Sequence, residues 1–460
     1  MDYAAATRYL ISLGNEVRAS TADTVYAAKL GLENITVLLD DLGRPQNAYP
    51  SVLIAGTNGK GSVAAMLDAV LRAAGLRSGL YTSPHLVEIT ERIQLAGQPI
   101  PPEEFAELFT ALQARIERLL AAGRLRFHPT FFECLTAMAM EYFRRQQCEL
   151  AVLEVGMGGR LDATNMATPR LAVITQIDFD HERFLGNTIA AIASEKAGII
   201  KPGIVVVSAA SHPDAAEVIR TKARQQGARL LETWQEYSAA EISSEDGRYC
   251  FRACDRQGFA LPVVLSLRGR HQIANALAVV AAARELARLG YPVSDHSIQQ
   301  GLATADWPGR LELLQETPPV YLDGAHNPAG ARALVRFWEE SFPKRRILLV
   351  YGAMRDKAVA EISEILFPRA AAVILTQPRQ FRAAAPETIQ DLASHLNPCI
   401  SIEHSPETAL ASAIAMAGPQ DMIFVTGSLY LVGDIKRRWP HGLSEQGLCQ
   451  ETFPVASSNP

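Results

Sequence analysis

One stretch near the N-terminus constrains the fold of this 460-residue chain most strongly, the segment SVLIAGTNGKGSVAAML at residues 51–67. It begins with an apolar run, Val52–Ala55, that predicts a buried strand. Three glycines then surround Lys60, and an apolar helical pattern follows. Glycine lets a ligand approach the backbone closely, and the N–H groups at a helix N-terminus attract anions. The segment therefore predicts a strand, a phosphate-binding turn and a helix.

The turn departs from the strict nucleotide-loop pattern G-x-x-x-x-G-K-[ST]. Ile54 stands where the first glycine belongs, and Gly61 separates Lys60 from Ser62. The alternative is a glycine-rich strand-to-helix turn with an exposed lysine. We favour phosphate binding, in which Lys60 supplies a positive charge and the hydroxyl of Ser62 is available to a magnesium ion.

Apolar runs suited to buried strands recur along the first part of the chain, with helical patterns between several of them. The strand runs are Leu150–Glu154, Leu171–Thr175 and Val205–Ser208, and the helical patterns include Val63–Ala74 and Glu103–Leu120. This alternation predicts an α/β fold with a mostly parallel sheet covered on both faces. The short alternating runs within Arg248–Leu267 predict a small antiparallel insertion.

The pattern restarts after the sequence WPG at residues 307–309, which we interpret as the break of a helix that begins near His271. Strand runs follow at Val320–Asp323, Ile347–Tyr351, Ala371–Thr376 and Met422–Thr426. We predict a nucleotide- and substrate-binding domain over residues 1–308, a smaller Rossmann-like α/β domain over 309–440 and a flexible tail over 441–460.

Composition excludes several classes of protein. The chain is 48% apolar and carries 44 basic against 49 acidic residues, for a net charge of −5, so nucleic acid is not an expected partner. The sequence shows no secretory signal pattern and no apolar run of the roughly 18 residues that a membrane span needs. The six cysteines are scattered, with Cys250 and Cys254 the nearest pair, so a zinc site is not expected. We expect a cytoplasmic protein with reduced thiols.

Chemically active side chains follow two further strands. Glu154 ends one strand run, and the carboxyl ends of parallel strands are where such sheets bind ligands. Lys196 lies in apolar company, where a lysine loses its proton or gains a partner, and a neutral amine can add carbon dioxide to become an oxygen-bearing carbamate. Taken singly, Glu154 fits a satisfied strand-end carboxylate equally well, and Lys196 fits a solvated lysine at a helix end better. The next strand is followed by Asp178, Asp180 and His181.

Seven motifs occur in a fixed order: AGTNGKGS, TSPHL with ERI, EVGMGGRLDATN, DH followed by EKAGI, GRHQIANA, PGRLE and DGAHNP. From about residue 25 to residue 435, the sequence resembles the folylpolyglutamate synthase and dihydrofolate synthase family of ATP-dependent Mur ligases. The resemblance implies a Mur-ligase-type P-loop domain and a glutamate-ligase domain. It also implies that ATP phosphorylates the carboxylate of dihydropteroate or a reduced folate, and that the amine of L-glutamate then displaces phosphate.

The resemblance assigns roles to individual residues. It places Lys60, Lys196 and His326 in catalysis, with Lys196 as a carbamate. It implies two magnesium ions, the first held by Ser62 and Glu154 and the second by Glu154, His181 and Lys196. The phosphate loop comprises Thr57, Asn58, Gly59, Lys60 and Gly61.

The remaining assignments concern the nucleotide and the substrate. Asn275 matches a residue near adenine, Arg310 an arginine that reaches the phosphates, and Asp323 a ribose ligand, so both domains are expected to contribute to ATP binding. Without the family, Arg310 suggests a surface charge and Asp323 a turn former, while Asp162 fits a helix cap. His326 matches a residue near phosphate and incoming glutamate. The expected substrate-binding residues are Ser83, His85, Arg92, Asp162, Ala163 and Ser428.

One departure and two alternatives remain. Many relatives carry Asp-Lys-Asp where this chain has RDKA, so Ala358 replaces the second acid. A cell-wall precursor ligase usually carries a further N-terminal UDP-binding domain, for which the roughly 50 residues before the phosphate loop are too few. A nucleotide-dependent switch would hydrolyse ATP without a carboxylate acceptor. The resemblance also implies a monomer.

Overall fold

The computed structural model describes residues 1–19 and 31–439, which fall into two compact units. The first comprises the described residues of Met1–Arg310 together with Arg336–Pro343, and the second Leu311–Val335 and the described residues after Pro343. The tail predicted over 441–460 lies outside the described residues. Within the described ranges, no helix combines the length and apolarity needed to cross a bilayer.

An eight-stranded sheet forms the centre of the first unit. Its strands are β1 (Ser51–Ala55), β2 (Ser78–Tyr81), β3 (Ile93–Leu95), β4 (Gln98–Pro99), β5 (Leu150–Glu154), β6 (Leu171–Ile174), β7 (Val205–Ser208) and β8 (Arg229–Glu232). Their spatial order is β4-β3-β2-β5-β1-β6-β7-β8. Strands β2, β5, β1, β6, β7 and β8 run parallel, whereas β3 and β4 form an antiparallel edge. The predicted mostly parallel sheet is confirmed.

The apolar strand runs arise because both faces of this sheet are covered. Successive side chains of a strand point to opposite faces. In β1, Leu53 and Ala55 join one apolar core, whereas Val52 and Ile54 join the other. All five residues of β1 are buried, which explains why Val52–Ala55 is a continuous apolar run instead of an alternating one.

Helices cover the two faces of the sheet. They are α1 (Tyr3–Ala19), α2 (Glu33–Asp41), α3 (Lys60–Ala73), α4 (Pro102–Ala121), α5 (Phe131–Arg145), α6 (Glu182–Leu185), α7 (Ile189–Lys196), α8 (Pro213–Gln225), α9 (Thr233–Glu236), α10 (His271–Arg288) and α11 (Asp295–Thr304). The prediction of a single helix from His271 to the WPG sequence is wrong. The segment forms two helices, because Gly290 adopts φ +93°, Pro292 follows, and the side chain of Ser294 caps the second helix.

The predicted antiparallel insertion is confirmed and is slightly larger than expected. It is a three-stranded sheet of β9 (Tyr237–Glu245), β10 (Arg248–Asp255) and β11 (Ala260–Val264), in the order β11-β10-β9. In β10, Tyr249, Phe251 and Ala253 are buried, as the alternating pattern predicts for a sheet with one covered face.

The second unit is built on a six-stranded sheet in the order β12-β13-β17-β14-β15-β16. All neighbouring strands pair in parallel except β12 with β13. The strands are β12 (Glu312–Glu316), β13 (Pro319–Leu322), β14 (Arg346–Tyr351), β15 (Ala372–Leu375), β16 (Ile400–Ile402) and β17 (Asp421–Thr426). The helices are α12 (Pro328–Ser341), whose residues from Arg336 onward are assigned to the first unit, α13 (Val359–Leu366), α14 (Pro386–Ala393), α15 (Pro406–Met416) and α16 (Leu429–Arg438).

Strand order determines which loops of the first unit meet. Strand β1 lies between β5 and β6, and β2 lies next to β5. Because these four strands are parallel, the loops that follow them lie together at one edge of the sheet. Those loops contain the glycine–lysine turn, the TSPHL motif, the EVGMGGRLDATN motif and the DH motif.

Candidate active site

The loop after β1 is fastened to the segment after β6. The hydroxyl Oγ1 of Thr57 donates to the carbonyl of Asp178 at 3.0 Å and accepts from the amide of Asp178 at 3.1 Å. The amide of Thr57 donates to the carbonyl of Gln176 at 2.8 Å. A side chain on Gly56 would collide with Thr175. The hydroxyl of Thr57 is therefore committed to holding the loop in place.

Two glycines of the loop are required by their neighbours. Gly59 adopts φ +88°, and a Cβ there would lie 2.5 Å from Oδ1 of Asn275. A Cβ on Gly61 would lie 2.8 Å from the indole ring of Trp307. The half-buried Asn58 pairs with the segment after β6. Helix α3 starts directly after Gly59, so the amides of its first turn have no partner within the helix and face the loop.

Two lysines converge on one backbone carbonyl. The Nζ of Lys60 donates to the carbonyl oxygen of Gly56 at 3.1 Å, and the Nζ of Lys196 donates to the same oxygen at 2.6 Å. Burial, reinforced by the charge of Lys60, lowers the pKa of Lys196 to about 7, against the opposing charges of Asp180 and Asp162. Lys196 is only 4% exposed, so the interpretation of a solvated lysine is wrong.

Glu154 ends β5 within reach of the charge of Lys60 and is 4% exposed. Its Oε2 accepts a hydrogen bond of 3.0 Å from the amide of Ser83, which ties the TSPHL loop to this carboxylate. Burial raises the pKa of Glu154, while the positive charges of Lys60, Arg310 and Arg92 oppose the shift. The structure thus brings Arg310 and Arg92 into electrostatic reach of Glu154.

The hydroxyl of Ser62 has a partner that the sequence analysis did not single out. Oγ of Ser62 accepts from Nε2 of Gln272 at 3.3 Å, and Oε1 of Gln272 accepts from Nδ2 of Asn275 at 2.9 Å. Gln272 and Asn275 lie one helical turn apart on α10, within the motif GRHQIANA. The three-residue spacing was the available signal, since it places both amides on one face of the helix.

The donor set near the loop suits magnesium, which prefers oxygen ligands. Glu154 and Ser62 supply a carboxylate and a hydroxyl, both buried. Across the described residues, no group of three or more His, Cys, Asp or Glu side chains is placed to hold a metal ion. The predicted second set contains two such residues, Glu154 and His181, and its third member, Lys196, provides an oxygen ligand only as a carbamate.

His181 occupies an exposed position at the start of α6. Its side chain is 37% exposed, its φ is +54°, and its Nε2 lies 3.8 Å from a carboxylate oxygen of Asp180. Asp180 is in turn one of the charges that act on Lys196. The sequence analysis gave Asp180 no role, although it is an oxygen donor in the loop that carries His181.

The segment after β2 supplies three of the predicted substrate residues, Ser83, His85 and Arg92. Nε of Arg92 donates to Nδ1 of His85 at 2.8 Å, so the neutral ring of His85 carries its proton on Nε2. The guanidinium of Arg92 is buried and lies 5.1 Å from the ring centre of Phe131, the first residue of α5. The sequence analysis missed Phe131; the aromatic pair at the helix start was its only signal.

Asp162 performs the helix-cap role that is the alternative to its expected role in substrate binding, which is contact with the pterin ring. Its Oδ1 accepts from the amide and hydroxyl of Thr164 at 3.0 and 2.6 Å, and its Oδ2 accepts from the amide of Met157 at 3.0 Å. Ala163 is buried in the short 3-10 helix that follows. Burial raises the pKa of Asp162. Both oxygens organise the loop, and contact with a pterin stays a prediction.

In the second unit, Asp323 and His326 follow β13. Oδ1 of Asp323 accepts from the amide of Ala325 and Oδ2 from the amide of Leu311, each at 3.0 Å, so Asp323 does form a turn. Nδ1 of His326 lies 2.8 Å from the carbonyl oxygen of Gly324. A carbonyl can only accept, so Nδ1 carries the proton and, in the neutral ring, Nε2 is an acceptor. Contact of Asp323 with ribose stays a prediction.

Ser428 follows β17 and is 2% exposed. Its hydroxyl caps α16 by accepting from the amide of Tyr430 at 3.0 Å, and contact with glutamate stays a prediction. At the departure noted in the sequence, Ala358 precedes α13 and provides no side-chain cap. The remaining acid of that motif, Asp356, lies 3.4 Å from Arg382.

Comparison with known proteins identifies the class of protein to which this chain belongs. Residues 108–283 match the family model of the Mur ligase middle domain, and residues 309–429 match that of the Mur ligase, glutamate ligase domain. The fold and these two matches therefore define a Mur ligase. The chain is 35% identical over 421 residues to the dihydrofolate synthase/folylpolyglutamate synthase of Bacillus subtilis, covering 90% of this chain and 96% of that protein. It belongs to the dihydrofolate synthase/folylpolyglutamate synthase family.

Solved structures agree with this membership and confirm the predicted fold class. Folylpolyglutamate synthase of Mycobacterium tuberculosis complexed with ADP and AMPPCP superposes with a TM-score of 0.83 at 34% identity, covering 90% of this chain and 95% of that one. The Escherichia coli FolC protein in complex with DHPP and ADP gives a TM-score of 0.82 at 31% identity, covering 95% and 98%.

Proposed function

We propose that this chain is an ATP-dependent ligase that joins L-glutamate to the carboxylate of dihydropteroate and of reduced folates. The observation that carries the proposal is the pair of lysines, Lys60 and Lys196, on the carbonyl of Gly56, with the charge of Lys60 acting on the buried Glu154. A site that must bring a triphosphate to a carboxylate needs fixed charges that offset the repulsion between the two anions. Family membership and the ADP- and DHPP-bound relative support this reading.

In the first step, an oxygen of the acceptor carboxylate attacks the γ-phosphorus of ATP. The bond from that phosphorus to the bridging oxygen breaks, and ADP leaves an acyl phosphate behind. Lys60 and the first amides of α3 hold the phosphate oxygens and offset their charge. Magnesium bound to Ser62 and Glu154 would neutralise further phosphate charge.

In the second step, the amine of glutamate attacks the acyl carbon. The carbon–oxygen bond to phosphate breaks, inorganic phosphate leaves, and the amine nitrogen releases a proton as the amide forms. His326 is the proton acceptor that we assign to this step. The hydrogen bond from its Nδ1 to Gly324 leaves Nε2 as the acceptor of the neutral ring.

Lys196 is proposed to act as a carbamate that supplies oxygen ligands to a second magnesium ion. Its pKa of about 7 gives a large neutral fraction near neutral pH. That neutral amine forms a nitrogen–carbon bond to carbon dioxide and releases one proton. Carbon-13 NMR of the protein in labelled bicarbonate should show a carbamate signal. The signal should disappear in Lys196→Ala and persist in Lys201→Ala, and a signal that survives Lys196→Ala would contradict the assignment.

The enzymatic proposal is tested by phosphate release from ATP in the presence of magnesium and L-glutamate. We expect release to require dihydropteroate or a reduced folate, and the product to gain one glutamate by mass spectrometry. Lys60→Ala should lose most turnover because the phosphate charge is no longer offset, whereas replacement of the exposed Lys344 by alanine should not. Short carboxylic acids should partly restore Lys196→Ala by supplying the missing oxygens.

The same assay separates the alternatives. Phosphate release that requires a UDP-linked cell-wall precursor and is unaffected by pteridines would identify another Mur ligase. Release that is independent of every carboxylate acceptor would identify a nucleotide-dependent switch. Either result would overturn the proposed function.

A further inference from the structure

Three buried polar side chains form a continuous chain behind the phosphate loop. Nδ2 of Asn275 donates to Oε1 of Gln272 at 2.9 Å, and Nε2 of Gln272 donates to Oγ of Ser62 at 3.3 Å. Gln272 is fully buried, Asn275 is 5% exposed and Ser62 is 4% exposed. Buried amides must be hydrogen-bonded, so each partner restricts the orientation of the next.

The direction of these bonds fixes how the hydroxyl of Ser62 is used. Because Oε1 of Gln272 accepts from Asn275, its Nε2 is turned towards Ser62 as a donor. A serine hydroxyl has one proton and two lone pairs. Gln272 occupies one lone pair, which leaves the second lone pair and the proton of Ser62 for groups on the other side.

The rest of the chain is anchored to the phosphate loop. Oδ1 of Asn275 lies against Gly59, where an added Cβ would be 2.5 Å away. Gln272 and Asn275 both project from the first two turns of the 18-residue helix α10. A rigid helix thus holds the amide of Gln272 at a fixed distance from Ser62, and the residues are 210 positions apart in sequence.

We infer that Gln272 is a positioning residue that orients the hydroxyl of Ser62 for magnesium while the nucleotide is bound. The inference rests on the proposed function, in which Ser62 is a magnesium ligand. It predicts that Gln272 affects the coupling between magnesium and nucleotide and leaves binding of the metal-free nucleotide nearly unchanged. A purely structural glutamine would weaken both kinds of binding together.

The test measures ADP affinity of the full chain by calorimetry, with and without magnesium. The variant Gln272→Met has a side chain of similar length that cannot donate. We expect its affinity for ADP without magnesium to stay within about twofold of the unmodified protein. The gain in affinity from magnesium should fall by about five- to tenfold, the worth of one hydrogen bond that orients a ligand. Equal losses with and without magnesium would overturn the inference.

Two further variants keep the test decisive. If Gln272→Met does not fold, Gln272→Asn retains the amide but shortens the side chain by one methylene, which withdraws it from Ser62, and the same loss is expected. Gln113→Met is the matched control, since Gln113 is also a buried helical glutamine, 7% exposed, whose Nε2 donates to the hydroxyl of Tyr9 at 2.8 Å. In Gln113→Met, the gain in ADP affinity from magnesium should be unchanged.

A double-mutant cycle separates this inference from the proposed function. Ser62→Ala should lose the magnesium gain, and adding Gln272→Met to it should have no further effect, because the shared interaction is already gone. If Ser62→Ala keeps the full magnesium gain, the metal assignment in the proposed function fails. If Ser62→Ala loses the gain and Gln272→Met keeps it, or if the two losses multiply, only the positioning role fails.

Discussion

Replacing Lys196 by methionine should change how the stability of the protein depends on pH. Burial lowers the pKa of Lys196 from 10.5 to about 7 in the folded protein. Between about pH 7 and pH 10.5, the unfolded chain binds more protons at this residue than the folded chain does. Stability then rises with pH, by up to about 1.4 kcal/mol per pH unit for one proton. Methionine has similar length, no charge and no such dependence.

The magnitude follows from the occupancy of the amine. At pH 7 Lys196 is about half protonated when folded and fully protonated when unfolded, and at pH 9 it is almost wholly neutral when folded. Summed over this interval, the free energy of unfolding of the unmodified protein should rise by about 2 kcal/mol relative to Lys196→Met. Below about pH 6 both states are protonated, so the two curves should run parallel there.

Urea unfolding at several pH values, in buffer free of carbon dioxide and metal, measures this difference. Tryptophan fluorescence follows the unfolding, since three of the four tryptophans, Trp234, Trp307 and Trp338, lie in the first unit, which also contains Lys196. The variant Lys201→Met is the matched control, because partial burial also lowers the pKa of Lys201 and should give a smaller change of the same sign. If the free energy of unfolding depends on pH in the same way for the unmodified protein and Lys196→Met from pH 7 to pH 9, the claim that burial destabilises the ammonium of Lys196 is refuted.

Three further substitutions test the geometry of the loops. Gly59→Ala should weaken ADP binding at least about tenfold in calorimetry, because its Cβ would lie 2.5 Å from Asn275. Gly75→Ala, with φ +80° and open space around it, should bind ADP normally. Thr57→Val should lower the free energy of unfolding of the first unit by about 1–2 kcal/mol in urea, since it removes two hydrogen bonds. Ser428→Ala should cost the second unit about 1 kcal/mol in the same assay, as the loss of a helix cap, and an unchanged midpoint would show that the cap is not needed.

The sequence predicted the strands and turns that are determined by residues close together in the chain. The run in β1 is apolar at every position because both faces of the strand are buried, and the glycines that follow mark the turn. The same logic located β5, β6 and β7 within one residue. Glu154 and the loop that contains Lys60 could be placed at one edge of the sheet, because parallel strands end on the same side.

The sequence could not predict contacts that depend on packing between distant segments. Whether Lys196 is solvated or buried is decided by the loops against it: Gly159 approaches the backbone of Glu195 and Lys196 so closely that a Cβ would lie 2.9 Å from each carbonyl oxygen. The bond from Gln272 to Ser62 likewise joins two helices far apart in the chain. The split of the helix after His271 was missed although Gly290, Pro292 and Ser294 mark it in the sequence, because the apolar pattern continues on both sides of them.

The two lysines that donate to the carbonyl of Gly56 affect each other's protonation. A single carbonyl oxygen cannot balance two positive charges, and the charge of Lys60 is indeed one of the causes that lower the pKa of Lys196. The buried amine is therefore neutral at pH values where an ordinary lysine is charged, and a neutral amine is the form that reacts with carbon dioxide. As a carbamate, Lys196 would be attracted by Lys60 instead of repelled by it. Arginine stays charged under all these conditions, so an arginine at this position could form neither the neutral amine nor the proposed carbamate.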